Sequence, residues 1–187
     1  MRIISGDLKG KSISFVKSKI TRPLKDSVKE NIFNVIAHSN LIDIKLAKSK
    51  VLDLYSGIGS FGIECISRGS EETTFVEKDK IVVNTLEKNL KDLSLIKKSI
   101  VVNKNIVNFL ESNISKQYDI IFLDPPFAEK KILSDLQLIQ KRKIYKANHL
   151  IVIHREIGSF DQLEQILKIL MTKEYGRSKI IFAKFLS

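Results

Sequence analysis

The chain has 187 residues, of which 43% are hydrophobic and 28% are charged, a composition that is ordinary for a globular protein. Its single cysteine, Cys65, excludes an intramolecular disulfide, and no uninterrupted apolar run approaches the ~18 residues of a membrane span. The first residues lack the apolar core of a signal peptide, so we expect a cytoplasmic protein. The formal net charge of +11 suggests a polyanionic partner, although a lysine-rich composition could also produce it.

The first fifteen residues are typical of a basic β-hairpin, because isoleucines flank a turn that contains glycines. We expect this extension to project from the domain and to lie along a polyanionic backbone such as RNA. The candidate contacts in it are Arg2, Lys9 and Lys11, with Arg22 shortly after. A plain surface arginine is the alternative for Arg22.

A short apolar strand runs into a glycine-rich turn and then a helix over residues 51–64, VLDLYSGIGSFGIE. Gly57, Gly59 and Gly62 have the spacing GxGxxG, which lets the backbone approach a ligand closely in front of a helix N-terminus. Tyr55 and Ser56, at the entrance of the turn, complete the candidate contacts. The pattern predicts a nucleotide-like ligand.

Two acidic residues near this turn favour one ligand over others. Asp53 would repel the phosphates of a dinucleotide such as NAD, whereas it suits S-adenosylmethionine, whose sulfonium and amino groups are cationic. Glu77 ends the next predicted strand about 20 residues after the first glycine, where an acid accepts hydrogen bonds from ribose hydroxyls, and Lys78 follows it. Capping of the following helix is the alternative for Glu77.

A second informative stretch is YDIIFLDPPF, an apolar run that two prolines end abruptly. The Asp124 carboxylate and the Pro125 carbonyl could accept both N–H groups of an exocyclic base amine, while Pro126 stiffens the loop and Phe127 stacks on the base. A strand-ending turn with a core phenylalanine is the alternative.

The three histidines show no metal-ligand spacing. We read them as structural or solvent-facing and predict no metal site.

The segments DLYSGIGSFGIE, FVEKD and DPPF together resemble the class I S-adenosylmethionine-dependent methyltransferases that modify amino groups. The segments MRIISGDLKGKSISF and TRPLKDSVKENIFNVI narrow the resemblance to the RsmD-type 16S rRNA (guanine-N2)-methyltransferase family, over nearly the whole chain. One departure is Lys29, which stands where that family usually has arginine. A lysine cannot reproduce an arginine's planar fork, so a bidentate contact at this position is in doubt.

Strands that alternate with helices predict an α/β domain with a mainly parallel sheet and helices on both faces. The resemblance implies a Rossmann-like, seven-stranded sheet in the order 3-2-1-4-5-7-6. Residues 160–167 read as a helical piece, and the runs 169–175 and 179–185 as a closing hairpin. We expect one domain over residues 1–187, with the hairpin extension in 1–20, a helical region in 21–40 and the catalytic core in 50–187.

The resemblance also implies an activity, which is in-line transfer of a methyl group from S-adenosylmethionine to the N2 amine of a guanine in 16S rRNA. The partner would be 16S rRNA within an assembling or assembled small subunit, and the enzyme a monomer. Asn105 and Ile106 would contact the adenine of the cofactor, although Asn105 could simply cap a helix. An adenine-N6 DNA methyltransferase that uses the same loop and a non-catalytic rRNA-binding assembly factor remain alternatives.

Overall fold

A seven-stranded sheet lies between two layers of helices in the computed structural model, which describes residues 1–15, 24–126 and 131–186. The strands are β1 Lys50–Leu54, β2 Glu72–Glu77, β3 Ser99–Asn103, β4 Tyr118–Leu123, β5 Tyr145–Glu156, β6 Leu167–Tyr175 and β7 Ser178–Phe185. The helices are α1 Asp26–His38, α2 Ser60–Ser67, α3 Lys80–Asp92, α4 Ile106–Glu111 and α5 Ile132–Arg142.

The strand order across the sheet is β3-β2-β1-β4-β5-β7-β6, as predicted. The pairs from β3 to β5 are parallel, and both antiparallel pairs involve β7. The carboxyl ends of β1 to β5 therefore share one edge of the sheet. The order of the strands reverses between β1 and β4, which is where ligands bind in open α/β sheets.

Apolar side chains cover both faces of the central strands. In β4, Ile120 and Phe122 pack in the cluster that contains α1, whereas Ile121 and Leu123 pack in the cluster that contains α4 and α5. A continuous apolar run is what a strand buried on both faces requires. The helices α2 and α3 share the face of α1, so the segment after β1 crosses to that side.

The N-terminal segment differs from the projecting hairpin expected. The chain reverses direction as predicted, but Arg2 and Ser12 form a single antiparallel bridge. Ile3 and Ile13 are buried against α2 and α3, because two isoleucines would otherwise expose a large apolar area. The segment is thus part of the domain wall and does not project as a ribbon.

The helical piece predicted over residues 160–167 is wrong. Only a short 3-10 turn, Leu163–Gln165, precedes β6. Leu163 and Leu167 are both buried, and their spacing of four residues imitated a helical pattern although Leu167 already belongs to β6. Among the residues that the structure describes, no helix is long and apolar enough to cross a bilayer.

Candidate active site

An open cavity of about 610 Å³ lies at the carboxyl ends of the parallel strands. Its wall brings together the glycine turn after β1, the end of β2, the start of α4 and the loop after β4. The predicted residues in this wall are Asp53, Tyr55, Ser56, Gly57, Glu77, Lys78, Asn105, Ile106, Asp124, Pro125 and Pro126. Segments that are distant along the chain therefore meet at one site, as the sequence predicted.

The glycine turn is compact because two of its glycines have no room for a side chain. Gly59 has a φ of +85°, and a Cβ there would lie 2.5 Å from Cδ1 of Leu86. A Cβ on Gly62 would lie 2.3 Å from Cε1 of Phe75 in β2. Gly59 and Gly62, which the sequence assigned to the cofactor, are not among the residues that line the cavity. They let α2 approach the sheet closely and so place Gly57 at the cavity.

Asp53 holds the turn from beneath. Its Oδ2 accepts a hydrogen bond from the Gly62 N–H at 2.9 Å, one of the unpaired donors in the first turn of α2. Burial raises the pKa of the Asp53 carboxyl well above its usual range, and the Gly62 N–H opposes that rise. The residue fixes the start of α2 and also borders the cavity.

Glu77 supports the turn from the neighbouring strand. Its Oε2 accepts from the Gly57 N–H at 3.1 Å, and its Oε1 accepts from the Asp79 N–H at 2.8 Å. The cap of α3 is Asp79, whose carboxylate accepts from the N–H groups of Ile81 and Val82. Because a carboxylate offers about four acceptor positions, Glu77 keeps capacity for further hydroxyl donors.

The loop after β4 is tied to the sheet by a histidine that sequence reasoning assigned to structure or solvent. Oδ1 of Asp124 lies 2.8 Å from Nδ1 of His154 in β5, and the Asp124 N–H donates to the Leu54 carbonyl at 3.4 Å. Nε2 of His154 lies 2.9 Å from Oγ of Ser178. Both His154 and Ser178 also line the cavity, so these are site residues that sequence reasoning missed.

Two other predicted contacts have clear local environments. The Asn105 side chain accepts from the Asn108 N–H at 2.8 Å, so it caps α4, while it and Ile106 also line the cavity. Oγ of Ser56 is buried, and it has no hydrogen-bond partner among the residues that the structure describes. A buried hydroxyl oxygen in a cavity wall is free to bind a polar group of a ligand.

Charge is distributed unevenly around the cavity. The carboxylates of its inner wall are buried or half-buried, namely Asp53, Glu77, Asp124 and Asp135. Exposed cations surround them, namely Lys25, Lys78, Lys104, Lys131 and Arg177. The interior of the site thus favours a cationic group, and its rim favours a polyanion.

No group of three or more acidic, histidine or cysteine side chains in the described ranges could hold a metal ion.

Some predicted contacts lie away from this cavity or outside the described residues. Arg2, Lys9 and Lys11 are exposed but are not among the lining residues, although Met1 and Phe15 of the same segment are. Arg22 and Phe127 lie outside the described residues. The cationic rim, which sequence reasoning largely missed, comes from loops that meet only in the folded chain.

Lys29 is buried and makes its contacts within the domain. Its Nζ donates to the Arg2 carbonyl at 2.8 Å and lies 3.5 Å from Oε2 of Glu64, with no exposed area on either side chain. The Glu64 carboxylate also accepts from the N–H groups of Ile4 and Ser5. Burial lowers the pKa of Lys29, and the charge of Glu64 opposes this. This cluster fastens the N-terminal segment to α1 and α2.

The strand order, the glycine turn after β1, the acidic end of β2 and the Asp-Pro-Pro loop after β4 together define a Rossmann-like class I methyltransferase fold. The chain belongs to the family described as Conserved hypothetical protein 95, whose model matches residues 1–184.

Individual relatives agree with this assignment. The Bacillus subtilis protein YlbH is 34% identical over 98% of both chains. A Buchnera aphidicola protein named ribosomal RNA small subunit methyltransferase D is 34% identical over 82% of this chain and 77% of its own. The solved structure of the Escherichia coli protein yhhF superposes with a TM-score of 0.85 at 26% identity, over 99% of this chain and 97% of that one. The family resemblance drawn from the sequence is confirmed.

Proposed function

We propose that this chain transfers a methyl group from S-adenosylmethionine to the exocyclic N2 amine of a guanine in 16S rRNA. One observation carries the proposal, which is that a single cavity joins the glycine turn to the Asp124–Pro126 loop and combines an acidic interior with a basic rim. The acidic interior suits the cofactor and the amine, and the rim suits nucleic acid. A relative named ribosomal RNA small subunit methyltransferase D supports the choice of rRNA.

The residues present fit S-adenosylmethionine. Glu77 retains acceptor capacity for ribose hydroxyls, the buried Ser56 hydroxyl offers a polar contact, and Asn105 with Ile106 borders the space next to α4 where an adenine would lie. Beneath the turn stands Asp53, whose carboxyl group would not favour a phosphate there. When bound, this cofactor supplies a methyl group that its sulfonium already activates.

The chain's own contribution is to orient the amine. Two acceptors, the Asp124 carboxylate and the Pro125 carbonyl, bind its N–H groups, and Pro125 has no N–H to compete for them. His154 fixes the orientation of the Asp124 carboxylate through its Nδ1. Holding reactants in a productive geometry accounts for much of the rate of such a transfer. The nitrogen becomes cationic when it accepts the methyl group and then releases a proton to solvent, so the site requires no strong base.

The basic rim would bind the RNA backbone around the target. Phosphate contacts position a protein on RNA but carry little sequence information, so the surrounding RNA structure would select the guanine. We propose that the protein acts as a monomer in the cytoplasm, on rRNA of an assembling or assembled small subunit.

The test is methylation of defined substrates with S-adenosylmethionine labelled in its methyl group. Small ribosomal subunits and 16S rRNA from cells that lack this protein are the substrates, and the labelled nucleotide is mapped afterwards. We expect label on N2 of one guanine. Label on N6 of adenine in duplex DNA would favour the DNA methyltransferase alternative.

A matched variant separates catalysis from binding. Asp124→Ala should still bind S-adenosylhomocysteine in calorimetry, because Glu77 and the glycine turn are intact. The rate of methylation should fall about tenfold to hundredfold, as expected for the loss of a charge-assisted hydrogen bond. Undiminished methylation would contradict the role of the loop. Binding of NADH in place of S-adenosylhomocysteine would contradict the cofactor assignment. If the wild-type protein binds RNA but does not methylate it, the alternative of a non-catalytic rRNA-binding assembly factor is favoured.

A further inference from the structure

Phe160 is an aromatic side chain that the fold holds out in solvent. Its exposed fraction is 88%, which is the largest among the exposed large hydrophobic side chains of the described residues. It lies in the loop between β5 and β6, beyond Glu156 and before the 3-10 turn. Exposing a whole phenylalanine forgoes roughly 1.5–3 kcal/mol of burial. This exposure therefore needs an explanation.

The loop around Phe160 is fixed on both sides. Arg155 donates two hydrogen bonds to the Asp161 carboxylate, each 2.9 Å long, and both side chains are almost fully buried. The Ser159 N–H donates to the Glu156 carbonyl, and Nζ of Lys179 donates to the Ser159 carbonyl at 2.7 Å. A bidentate buried pair of this kind is among the more rigid polar contacts in proteins. The ring is presented by an ordered loop.

The loop lies beside the candidate active site. Glu156 ends β5 at the same edge of the sheet as Leu123 ends β4, because the two strands are parallel. The Ile157 N–H donates to the Arg177 carbonyl, and Arg177 lines the cavity. The ring of Phe160 thus follows, within three residues, a backbone segment that is hydrogen-bonded to the cavity wall.

We propose that Phe160 stacks on an unpaired RNA base next to the guanine in the cavity. The inference rests on the function proposed above and adds a substrate contact to it. Proteins that read single-stranded RNA stack splayed bases on exposed aromatic rings and bind the phosphates with nearby cations. In segments 155–161 and 176–179, Arg155 is buried against Asp161 and Arg177 pairs with Glu156, so the net charge of +1 comes from Lys179, whose Nζ donates to the Ser159 carbonyl. Phosphate contacts would therefore come chiefly from the cationic rim of the cavity. The fixed loop lowers the entropy lost on binding.

The surface fits a base better than a protein. A stable protein interface needs a contiguous apolar area of many residues, whereas Phe160 stands with Ile157, which is 41% exposed, among charged and polar neighbours. One exposed ring on an ordered loop matches one nucleotide base.

The chain contains no tryptophan, so Phe160→Trp introduces a unique fluorophore at an exposed position. The control is Ile96→Trp. Ile96 is 61% exposed and lies before the amino end of β3, whereas the cavity lies at the carboxyl ends of the strands. Each variant is titrated with 16S rRNA and with small ribosomal subunits, and RNA binding is followed in the same samples. We expect quenching of the Phe160→Trp emission and none for Ile96→Trp.

Kinetics give a second readout. Phe160→Ala should raise KM for RNA roughly 5- to 150-fold, as expected for the loss of one stacked base, with kcat and the affinity for S-adenosylhomocysteine unchanged. Phe160→Tyr should restore KM. The inference is overturned if RNA does not quench the Phe160→Trp emission. It is also overturned if ribosomal proteins without RNA, or a higher concentration of the protein itself, quench the emission. Methylation by the wild-type protein is scored separately, so a failure of the proposed function is distinguishable.

Discussion

The Nδ1 atom of His154 and the Oδ1 atom of Asp124 lie 2.8 Å apart, which links β5 to the loop that would bind the substrate amine. A carboxylate only accepts hydrogen bonds, so Nδ1 must carry the hydrogen. In the neutral ring, Nε2 then accepts from the Ser178 hydroxyl at 2.9 Å. Both ring nitrogens are engaged, and the orientation of the Asp124 carboxylate is fixed through them.

Replacing His154 should affect turnover more than binding. We expect His154→Ala to lower kcat about tenfold to hundredfold, because a hydrogen bond to a charged group contributes about 1.5–3 kcal/mol. The amide of His154→Asn can reproduce the donor at Nδ1 and should restore most of kcat. The amide of His154→Gln extends to the position of Nε2 and should not. Steady-state kinetics, with the affinity for S-adenosylhomocysteine as control, measure this, and equal loss in all three variants would argue against an orienting role.

Gly62→Ala should destabilise the fold through a steric conflict. The added Cβ would meet Cε1 of Phe75 at 2.3 Å and Cγ2 of Thr73 at 2.7 Å, so α2 would have to shift. We expect a loss of about 1–3 kcal/mol in the free energy of unfolding, measured by denaturant titration. Phe75→Leu, which removes the ring edge, should recover part of this loss in the double mutant. Purely additive effects would contradict the assigned contact.

The buried Asp53 should make stability depend on pH. Its pKa in the folded state is raised by burial above the value of about 3.9 in the unfolded chain. Between these values the folded protein binds more protons than the unfolded one, so this contribution is full below about pH 3.9 and is lost as the pH rises through the folded pKa.

The matched variant for this prediction is Asp53→Asn, which keeps an acceptor for the Gly62 N–H and cannot ionise. We expect the free energy of unfolding of the wild type, relative to that of Asp53→Asn, to decrease as the pH rises. Chemical denaturation at several pH values measures the difference. A difference that is constant with pH would show that the folded and unfolded pKa values are equal.

The cationic rim should make RNA binding depend on salt. Lys104 is exposed and lines the cavity, so Lys104→Ala should weaken RNA binding and reduce the slope of log K against log salt concentration by about 0.7–0.9. Lys97→Ala is the control, because Lys97 is exposed in the turn that precedes β3 at the opposite edge. An equal change in both variants would indicate diffuse attraction by the net charge rather than a rim contact.

Local apolar runs and the geometry of parallel strands predicted the alternation of strands and helices and the meeting of the glycine turn with the Asp124 loop. The strand order, by contrast, was implied by the family resemblance. The sequence could not predict the part of His154, since a single histidine carries no spacing signal and its partner Asp124 is 30 residues away. It also read Leu163 and Leu167 as helical, because two buried side chains four residues apart fit a helix as well as a turn followed by a strand.

The contact between Lys29 and Glu64 restricts the motion of the N-terminal segment. Detaching residues 1–15 would expose Ile3 and Ile13 and break the bonds from the Ile4 and Ser5 amides to a carboxylate 60 and 59 positions later in the chain. Met1 and Phe15 border the cavity, so we expect that side of the opening to be a rigid wall and not a mobile loop. Amide hydrogens there should exchange with deuterated solvent about as slowly as those of the central strands.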